Sequence, residues 1–243
     1  MRLRKRVPLF REERLLGRSA LRARALVELL PLALASPAKA RLCLRLTPRF
    51  TMIAPRLLSR MHDVASEVAR RGVEGDIVEC GVWNGGSLAL LAAAAGSPCR
   101  HAWAFDSFEG LPPPTERDPA ILRSSWFKGW NTGSPERVTE AWRRCGLPAD
   151  RLRVVPGWFE ETFRKSSVPA IAILHIDADW YDPIHLCLER WYDHVAPGGA
   201  VLLNDWNLYS GANRAVADFF ARRGGGPEVR PLSNVGGYFQ KPG

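Results

Sequence analysis

A run of nine residues, from Glu79 to Ser87, has the composition of a ligand-binding turn. It follows a short apolar stretch and precedes a Leu/Ala-rich segment, an order that predicts a strand, a glycine turn and a helix start. Glycines let the backbone approach a ligand closely, and the free N–H groups of a first helical turn favour polar or negative ligand groups. A tight turn that holds no ligand is the structural alternative.

The spacing of this run, E-x-G-x-x-x-G-G-S, differs from the G-x-G-x-x-G of dinucleotide enzymes. An acidic residue inside the turn would repel a pyrophosphate but attract a cation, such as the sulfonium and ammonium groups of S-adenosylmethionine. We therefore predict that this cofactor is bound by Glu79, Gly81, Trp83, Gly85 and Ser87.

Three further residues fit the same cofactor. Asp106 ends the next predicted strand and is followed by Ser107; an acid about 20 residues past a glycine loop commonly binds ribose hydroxyls. Capping of the following turn is an equally common use of Asp. Trp158 follows a third predicted strand and lies where an adenine ring could pack, although core packing would explain it as well.

A second polar group follows the strand predicted at 170–176. Asp177 stands at the carboxyl end of this strand and Asp179 two residues on, so an extended segment would turn both to one side. Asn204 and Asp205 end the next predicted strand, and neighbouring parallel strand ends converge. Because an all-oxygen ligand set suits Mg²⁺ or Ca²⁺ rather than zinc, Asp177, Asn204 and Asp205 are predicted to bind one of these two ions.

Such a metal site would suit transfer to an alcohol. A bound divalent ion lowers the pKa of a hydroxyl, and Asp179 beside it could accept the proton as the catalytic base. Helix capping is the alternative role for these Asp residues, and Asp182 before Pro183 fits that role better than catalysis. We expect His175, deeper in the strand, to be a buried core residue rather than a base.

Strand and helix signals alternate after residue 50, which predicts a doubly wound, mostly parallel α/β sheet of seven strands with a helical N-terminal extension. The predicted domains are a basic, partly helical extension at 1–50 and a cofactor-binding domain at 51–243. The predicted helices lie at 55–71, 86–95, 135–145, 183–195 and 211–223. The predicted strands lie at 76–80, 102–106, 152–156, 170–176, 200–204, 228–232 and 236–240, the last pair forming a hairpin.

Residues 107–134 interrupt this alternation with three prolines and several aromatic residues. Long insertions without regular structure are usually functional, and we interpret this one as a lid over cofactor and substrate. A surface loop held by its aromatic side chains is nearly as good an interpretation.

The net charge of +9 is concentrated at the N-terminus, where residues 1–60 hold fifteen Lys/Arg against three Glu. Such an arm could meet anionic lipid, nucleic acid or an acidic partner; we favour a solvated extension that helps to cover the site or a neighbouring subunit. The apolar stretch near residue 30 is interrupted by Glu28 and Pro31, which argues against a signal peptide. No segment reaches the about 20 apolar residues that a membrane span needs. Five scattered cysteines without C-x-x-C favour reduced thiols and a cytoplasmic location.

These segments together resemble the macrocin O-methyltransferase family of the TylF type, whose members methylate sugar hydroxyls on antibiotics. The similarity runs from about Phe50 to Phe220 and rests on residues 75–83, 105–112, 126–129 and 175–179. It implies a Rossmann-like class I methyltransferase fold and Mg²⁺-dependent O-methyl transfer. It also implies cofactor roles for Glu79, Gly81, Ser87 and Asp106, and metal roles for Asp177, Asn204 and Asp205.

Two features depart from the family pattern. The family usually has Asp-Asp where this chain has Asn204-Asp205, so one potential ligand carries less charge. The basic arm has no obvious counterpart.

We expect the acceptor to be a hydroxyl of a sugar or of a glycosylated natural product, with no nucleic-acid partner. Peripheral membrane contact through the arm and a homo-oligomer both remain open. The rival functions are a D-x-D metal-dependent glycosyltransferase, against which the glycine turn argues, and a methyltransferase-like scaffold without turnover, which Asn204 would favour.

Overall fold

The structure is a computed structural model that describes residues 18–96 and 100–243. A seven-stranded sheet forms its centre, with strand order β3-β2-β1-β4-β5-β7-β6. The first five strands are parallel, and β7 runs antiparallel to β5. The strands are β1 (Asp76–Cys80), β2 (Ala102–Asp106), β3 (Leu152–Pro156), β4 (Ile171–Ile176), β5 (Val195–Asn204), β6 (Arg230–Pro231) and β7 (Gly236–Gln240). The predicted fold class is confirmed.

Helices cover both faces of the sheet. They are α1 (Arg18–Ala35), α2 (Pro37–Leu46), α3 (Pro55–Arg70), α4 (Gly86–Ala95), α5 (Ala120–Ser125), α6 (Pro135–Arg144), α7 (Phe159–Lys165), α8 (Tyr181–Trp191) and α9 (Ser210–Ala221). Helices α2, α3, α4 and α6 pack into one hydrophobic cluster with one face of the sheet, and α7, α8 and α9 pack into a second with the other face. The strands between them are apolar because both of their faces are buried.

The predicted extension contributes to the core. Leu29 of α1 and Cys43 and Leu46 of α2 are buried in the same cluster as the sheet. Phe50 is also buried, and its carbonyl oxygen accepts a hydrogen bond of 2.8 Å from the N–H of Gly86 at the start of α4. Residues 37–50 therefore help to fix the glycine turn. Six of the thirteen Lys/Arg of the predicted extension lie in residues 1–17, outside the described residues.

Several predicted boundaries were wrong. The helix expected at 183–195 is α8, which begins two residues earlier because Pro183 is tolerated in a first helical turn, and β5 begins at Val195 rather than at residue 200. The strand expected at 228–232 is reduced to Arg230–Pro231. Helices α5 and α7 were not predicted, since each is too short to show a clear helical period.

In the described part of the chain, no helix is long and apolar enough to cross a membrane. The cysteines described there, Cys43, Cys80, Cys145 and Cys187, are free, and Cys99 lies outside the described residues. The reduced thiols predicted from the sequence agree with the four described ones.

Gly81 holds two neighbouring strand ends together. Its N–H donates to the carbonyl of Phe105 at 2.8 Å, while the N–H of Asp177 donates to the carbonyl of Cys80 at 2.9 Å. Gly81 has a φ of +88°, and a Cβ built on it would lie 1.9 Å from the carbonyl oxygen of Asp177. Only glycine allows β1 and β4 to come this close beyond their last residues.

We predict that Gly81→Ala lowers the free energy of unfolding by about 3 kcal/mol or more, because it combines left-handed backbone strain with a clash against the Asp177 carbonyl. Chemical denaturation measures this change. The matched control is Gly72→Ala, which has a φ of +67° but no atom within 4 Å of the new Cβ, and which should cost only about 1 kcal/mol. Equal losses in the two variants would contradict the role given to close approach.

Candidate active site

One cavity of 1030 Å³ lies at the carboxyl ends of the parallel strands. This is where the strand order reverses from β1 toward β2 on one side and β4 on the other, the usual position of ligands in open α/β sheets. The predicted site residues that line it are Gly81, Trp83, Ser87, Asp106, Ser107, Trp158, Asp177, Asp179, Asn204 and Asp205. Glu79 and Gly85 do not reach its surface.

Three carboxylates meet at the ends of β4 and β5. Asp177, Asp179 and Asp205 each offer an oxygen, and these oxygens all lie within 4.8 Å of one another. Strand pairing brings them together, because Ile176 is in register with Leu203. We call these three side chains the carboxylate cluster.

The extended backbone predicted from Asp177 to Asp179 was wrong. The segment after β4 is not extended there, since Asp179 has a φ of 57°, and Asp205 has a φ of 54°. Asp is among the residues that adopt this left-handed conformation at modest cost. Two tight turns, rather than an extended strand, therefore aim these carboxylates at Asp177.

Asn204 lies against the carboxylate cluster and donates to it. Its Nδ2 is 2.8 Å from Oδ1 of Asp177 and 3.4 Å from Oδ2 of Asp205. The amide thus bridges two acids that would otherwise repel each other. A metal role for its oxygen remains a prediction.

Burial raises the pKa of all three acids in the carboxylate cluster. The pKa of Asp179 rises to about 8, through burial and then through the charge of Asp177. Burial, followed by the neighbouring carboxylates, raises the pKa of Asp205 well above its usual value, and burial also raises that of Asp177. Burial and these same three carboxylates raise the pKa of Tyr209, which lines the cavity beside them.

These properties fit a divalent cation. The available ligand atoms are oxygens, the ligands that Mg²⁺ prefers, and no Lys, Arg or His side chain among the described residues lines the cavity to neutralise them. A cation between the acids would favour the ionised form of each. The residues present therefore fit the ion that the sequence predicts.

Asp106 stands on the other side of Gly81 from the carboxylate cluster. Its Oδ2 accepts the N–H of Trp83 at 2.8 Å, and its Oδ1 accepts the N–H of Phe108 at 2.7 Å. Burial raises the pKa of Asp106 to about 6, although these N–H groups favour the charged form. Each carboxylate oxygen has a second lone pair, so Asp106 can still accept from two hydroxyl groups in the cavity.

Glu79 is buried behind the cavity wall instead of facing the ligand. Its Oε1 accepts from Oγ of Ser87 at 2.5 Å and lies 3.2 Å from Nδ1 of His175. Burial lowers the pKa of His175, but the Glu79 carboxylate outweighs this effect and the net pKa is raised. Glu79 therefore orients Ser87, which does reach the cavity, and His175 is a buried core residue as expected.

Comparison with known proteins agrees with this geometry. The profile of the macrocin-O-methyltransferase (TylF) family matches residues 38–241. The chain belongs to this family. A relative from Streptomyces olivaceus, 8-demethyl-8-(2,3-dimethoxy-alpha-L-rhamnosyl)-tetracenomycin-C 4'-O-methyltransferase, is 30% identical over 196 residues, covering 78% of this chain and 75% of that protein. Mycinamicin III 3''-O-methyltransferase from Micromonospora griseorubida is 28% identical over 80% of both chains.

Solved structures show the same fold. The O-methyltransferase NovP superposes with a TM-score of 0.72 at 28% identity, covering 80% of this chain and 83% of NovP. The calicheamicin methyltransferase CalS11, at 21% identity and a TM-score of 0.59, supports the fold alone. As a member of the TylF family, this chain is an O-methyltransferase.

Residues 107–134 form one wall of the methyltransferase cavity. Trp180 donates from Nε1 to the carbonyl of Pro112 at 2.8 Å and packs edge-on against Trp130, with ring centroids 6.2 Å apart. The N–H of Leu111 donates to the carbonyl of Trp130 at 2.7 Å, which closes the segment into a loop. The segment is thus packed over the site, and its opening as a lid remains a prediction.

Asp118, which the sequence analysis missed, anchors this loop. It is buried, and its two oxygens accept the N–H of Thr115 at 3.0 Å and the N–H of Tyr181 at 2.9 Å. Asp118 therefore caps the start of α8, the role that the sequence suggested for Asp182. Asp182 instead pairs with Arg117 at 2.7 Å. Because Asp118 is 63 residues from its partner, no local pattern could reveal the contact.

We predict that Asp118→Ala lowers the free energy of unfolding by about 1–3 kcal/mol, since it leaves the buried N–H of Tyr181 and the part-buried N–H of Thr115 without their acceptor. Hydrogen exchange should also rise at Thr115 and Tyr181. The control is Asp182→Ala, which removes an exposed ion pair of the same segment and should cost less than about 1 kcal/mol. If both variants unfold alike and exchange stays slow, Asp118 is not the anchor.

Proposed function

We propose that this O-methyltransferase uses S-adenosylmethionine and Mg²⁺ to methylate a hydroxyl of a sugar carried by a glycosylated natural product. The observation that carries the proposal is the contact between the two halves of the cavity. Gly81 of the glycine turn touches the backbone of Asp177 in the carboxylate cluster, so a donor held by one would face an acceptor held by the other. The named activities of the two curated relatives support a sugar hydroxyl as the acceptor.

The donor half of the cavity would be formed by the glycine turn and Asp106. When bound, S-adenosylmethionine supplies an electrophilic methyl carbon on sulfur. Asp106 would accept from the ribose hydroxyls, and Ser87, oriented by Glu79, would meet a polar group of the methionine part. Gly81 leaves room for this ligand, Ser107 and Trp83 line the same wall, and Trp158 offers a flat surface to the adenine ring.

The acceptor half would be formed by the carboxylate cluster. Asp177, Asp205 and Asn204 would hold Mg²⁺, which lowers the pKa of an acceptor hydroxyl placed beside it. Asp179 would then accept the hydroxyl proton, since the ion would favour the ionised form of this buried carboxylate beside the acceptor. The aromatic side chains of Trp130 and Trp180 would exclude water from the reacting groups.

We predict that Asp177→Asn abolishes Mg²⁺-stimulated methyl transfer but leaves S-adenosylmethionine affinity within about twofold of wild type, because it removes one charged ligand and keeps the side-chain shape. Asp106→Asn should instead weaken the binding of S-adenosylmethionine. We expect a loss of affinity of about tenfold, which corresponds to about 1.4 kcal/mol. Calorimetry with the cofactor and a labelled-methyl assay measure the two effects.

The same pair of variants separates the alternatives. A scaffold without turnover predicts normal cofactor binding and no Mg²⁺ effect in the wild-type chain. Equal loss of cofactor binding in both variants would mean that Asp177 maintains the fold rather than an ion. Circular dichroism and thermal unfolding of each variant exclude simple misfolding.

We also predict that Asn204→Asp raises Mg²⁺ affinity by roughly tenfold, because it adds a third negative charge to a ligand set in which Asp177 and Asp205 are charged. Without Mg²⁺ the same change should destabilise the fold, since it replaces the amide that donates to Asp177 and Asp205 with another acid. Mg²⁺ titration measures the change in affinity, and thermal unfolding with and without the ion measures the change in stability. Unchanged Mg²⁺ affinity would place the ion away from Asn204.

A further inference from the structure

Helix α1 is apolar on both of its sides. Between Ala25 and Ala35 the chain holds one charged residue, Glu28. Ala25 and Leu29 are buried, and Leu29 belongs to the hydrophobic cluster that includes α2 and α3. On the other side of α1, four large apolar residues are 56% to 83% exposed: Leu26, Val27, Leu30 and Leu34. We call these four side chains the α1 face.

The spacing of these residues makes the α1 face continuous. Positions i, i+1, i+4 and i+8 fall within about 100° around a helix of 3.6 residues per turn, so the four side chains form one stripe along the helix axis. Among the described residues, the other large apolar side chains of comparable exposure are Ile121 and Phe127, which line the cavity. Contiguous apolar surface is rare on soluble proteins and marks contact with a protein or a membrane.

Basic residues adjoin the α1 face along the chain. Residues 1–24 hold nine Lys/Arg against two Glu, a net charge of +7. After α1, Arg41 and Arg45 of α2 are exposed, and they donate to the carbonyls of Pro37 at 3.3 Å and of Arg144 at 2.8 Å. Neither hydrogen bond neutralises the guanidinium, because a backbone carbonyl carries no net charge. The apolar stripe thus lies between basic segments.

An anionic membrane surface accounts for both the apolar stripe and the basic segments. Apolar side chains of such a helix enter the boundary between lipid headgroups and acyl chains, while Lys and Arg beside them attract anionic headgroups. A second copy of the chain could cover the α1 face, but it would add another segment of +7 and supply no anionic partner for the first.

We propose that the α1 face and the basic residues before it bind the protein peripherally to anionic lipid bilayers. Helix α1 then lies in the plane of the membrane surface and does not cross it, and its buried side stays packed against the rest of the protein. The inference is independent of the proposed function, because none of the four residues of the α1 face lines the catalytic cavity.

Vesicle flotation with the full chain tests the proposal. We expect the wild-type chain to bind vesicles of equal parts phosphatidylcholine and phosphatidylglycerol at least tenfold more tightly than vesicles of phosphatidylcholine alone. Raising NaCl from about 0.1 M to about 1 M should weaken this binding severalfold, because the screening length falls from about 10 Å to about 3 Å. A wild-type chain that does not float with the anionic vesicles, or that binds both kinds of vesicle alike, overturns the proposal.

A triple variant assigns the apolar part of the binding. Leu26→Gln with Leu30→Gln and Leu34→Gln keeps good helix formers, so helical circular dichroism should be unchanged while binding to the anionic vesicles weakens at least tenfold. The matched control is Ile121→Gln with Phe127→Gln, which changes exposed apolar residues outside α1 and should stay within twofold of wild type. Equal vesicle binding by the two variants overturns the role of the α1 face. If the triple variant instead dissociates a wild-type oligomer without changing vesicle binding, the α1 face is a contact between copies and the proposal is also overturned.

Discussion

Three buried or half-buried carboxylates whose oxygens lie within 4.8 Å of one another are costly to keep ionised without a cation. The described wall of the cavity supplies none, and the pKa values of all three acids are raised by burial. Asn204 offsets part of this cost, because its amide donates hydrogen bonds to two of the acids. The remaining cost supports the proposal that a divalent ion binds here. Much of the surrounding architecture serves to hold this cluster in place.

That architecture depends on how closely β1 and β4 approach each other. The carboxylate cluster lies at the ends of β4 and β5, while the glycine turn and Asp106 lie at the ends of β1 and β2. Gly81 lets the two groups meet, because any side chain there would strike the backbone of Asp177. Phe50 then fixes the start of α4 from outside the sheet. The proposed donor and acceptor halves are thus parts of a single packed unit.

Most of the sheet and most of the cavity residues could be predicted from sequence because they depend on local patterns. Apolar runs predict buried parallel strands, and a polar residue directly after such a run must lie at the edge where ligands bind. The bounds of β1, β2, β3 and β7 follow from this reasoning and agree with the structure. The family resemblance, confirmed by the profile match, rests on the same segments.

The remaining features depend on contacts distant in sequence. Asp118 reaches Tyr181 across 63 residues, and Glu79 turns away from the cavity because Ser87 and His175 are its partners. The left-handed backbone at Asp179 was also hidden, since Asp adopts it only where the surroundings require it. The same limit applies to the acidity of the cavity, which appears only when residues from many elements are brought to one surface.

The most direct test of the account is anomalous scattering from crystals of the wild-type chain grown with Mn²⁺ and S-adenosylhomocysteine. The account predicts one strong manganese peak about 2.2 Å from oxygens of Asp177 and Asp205, with the sulfur of the product on the Gly81 side. A cavity that holds S-adenosylhomocysteine but shows no manganese between those two acids would contradict it.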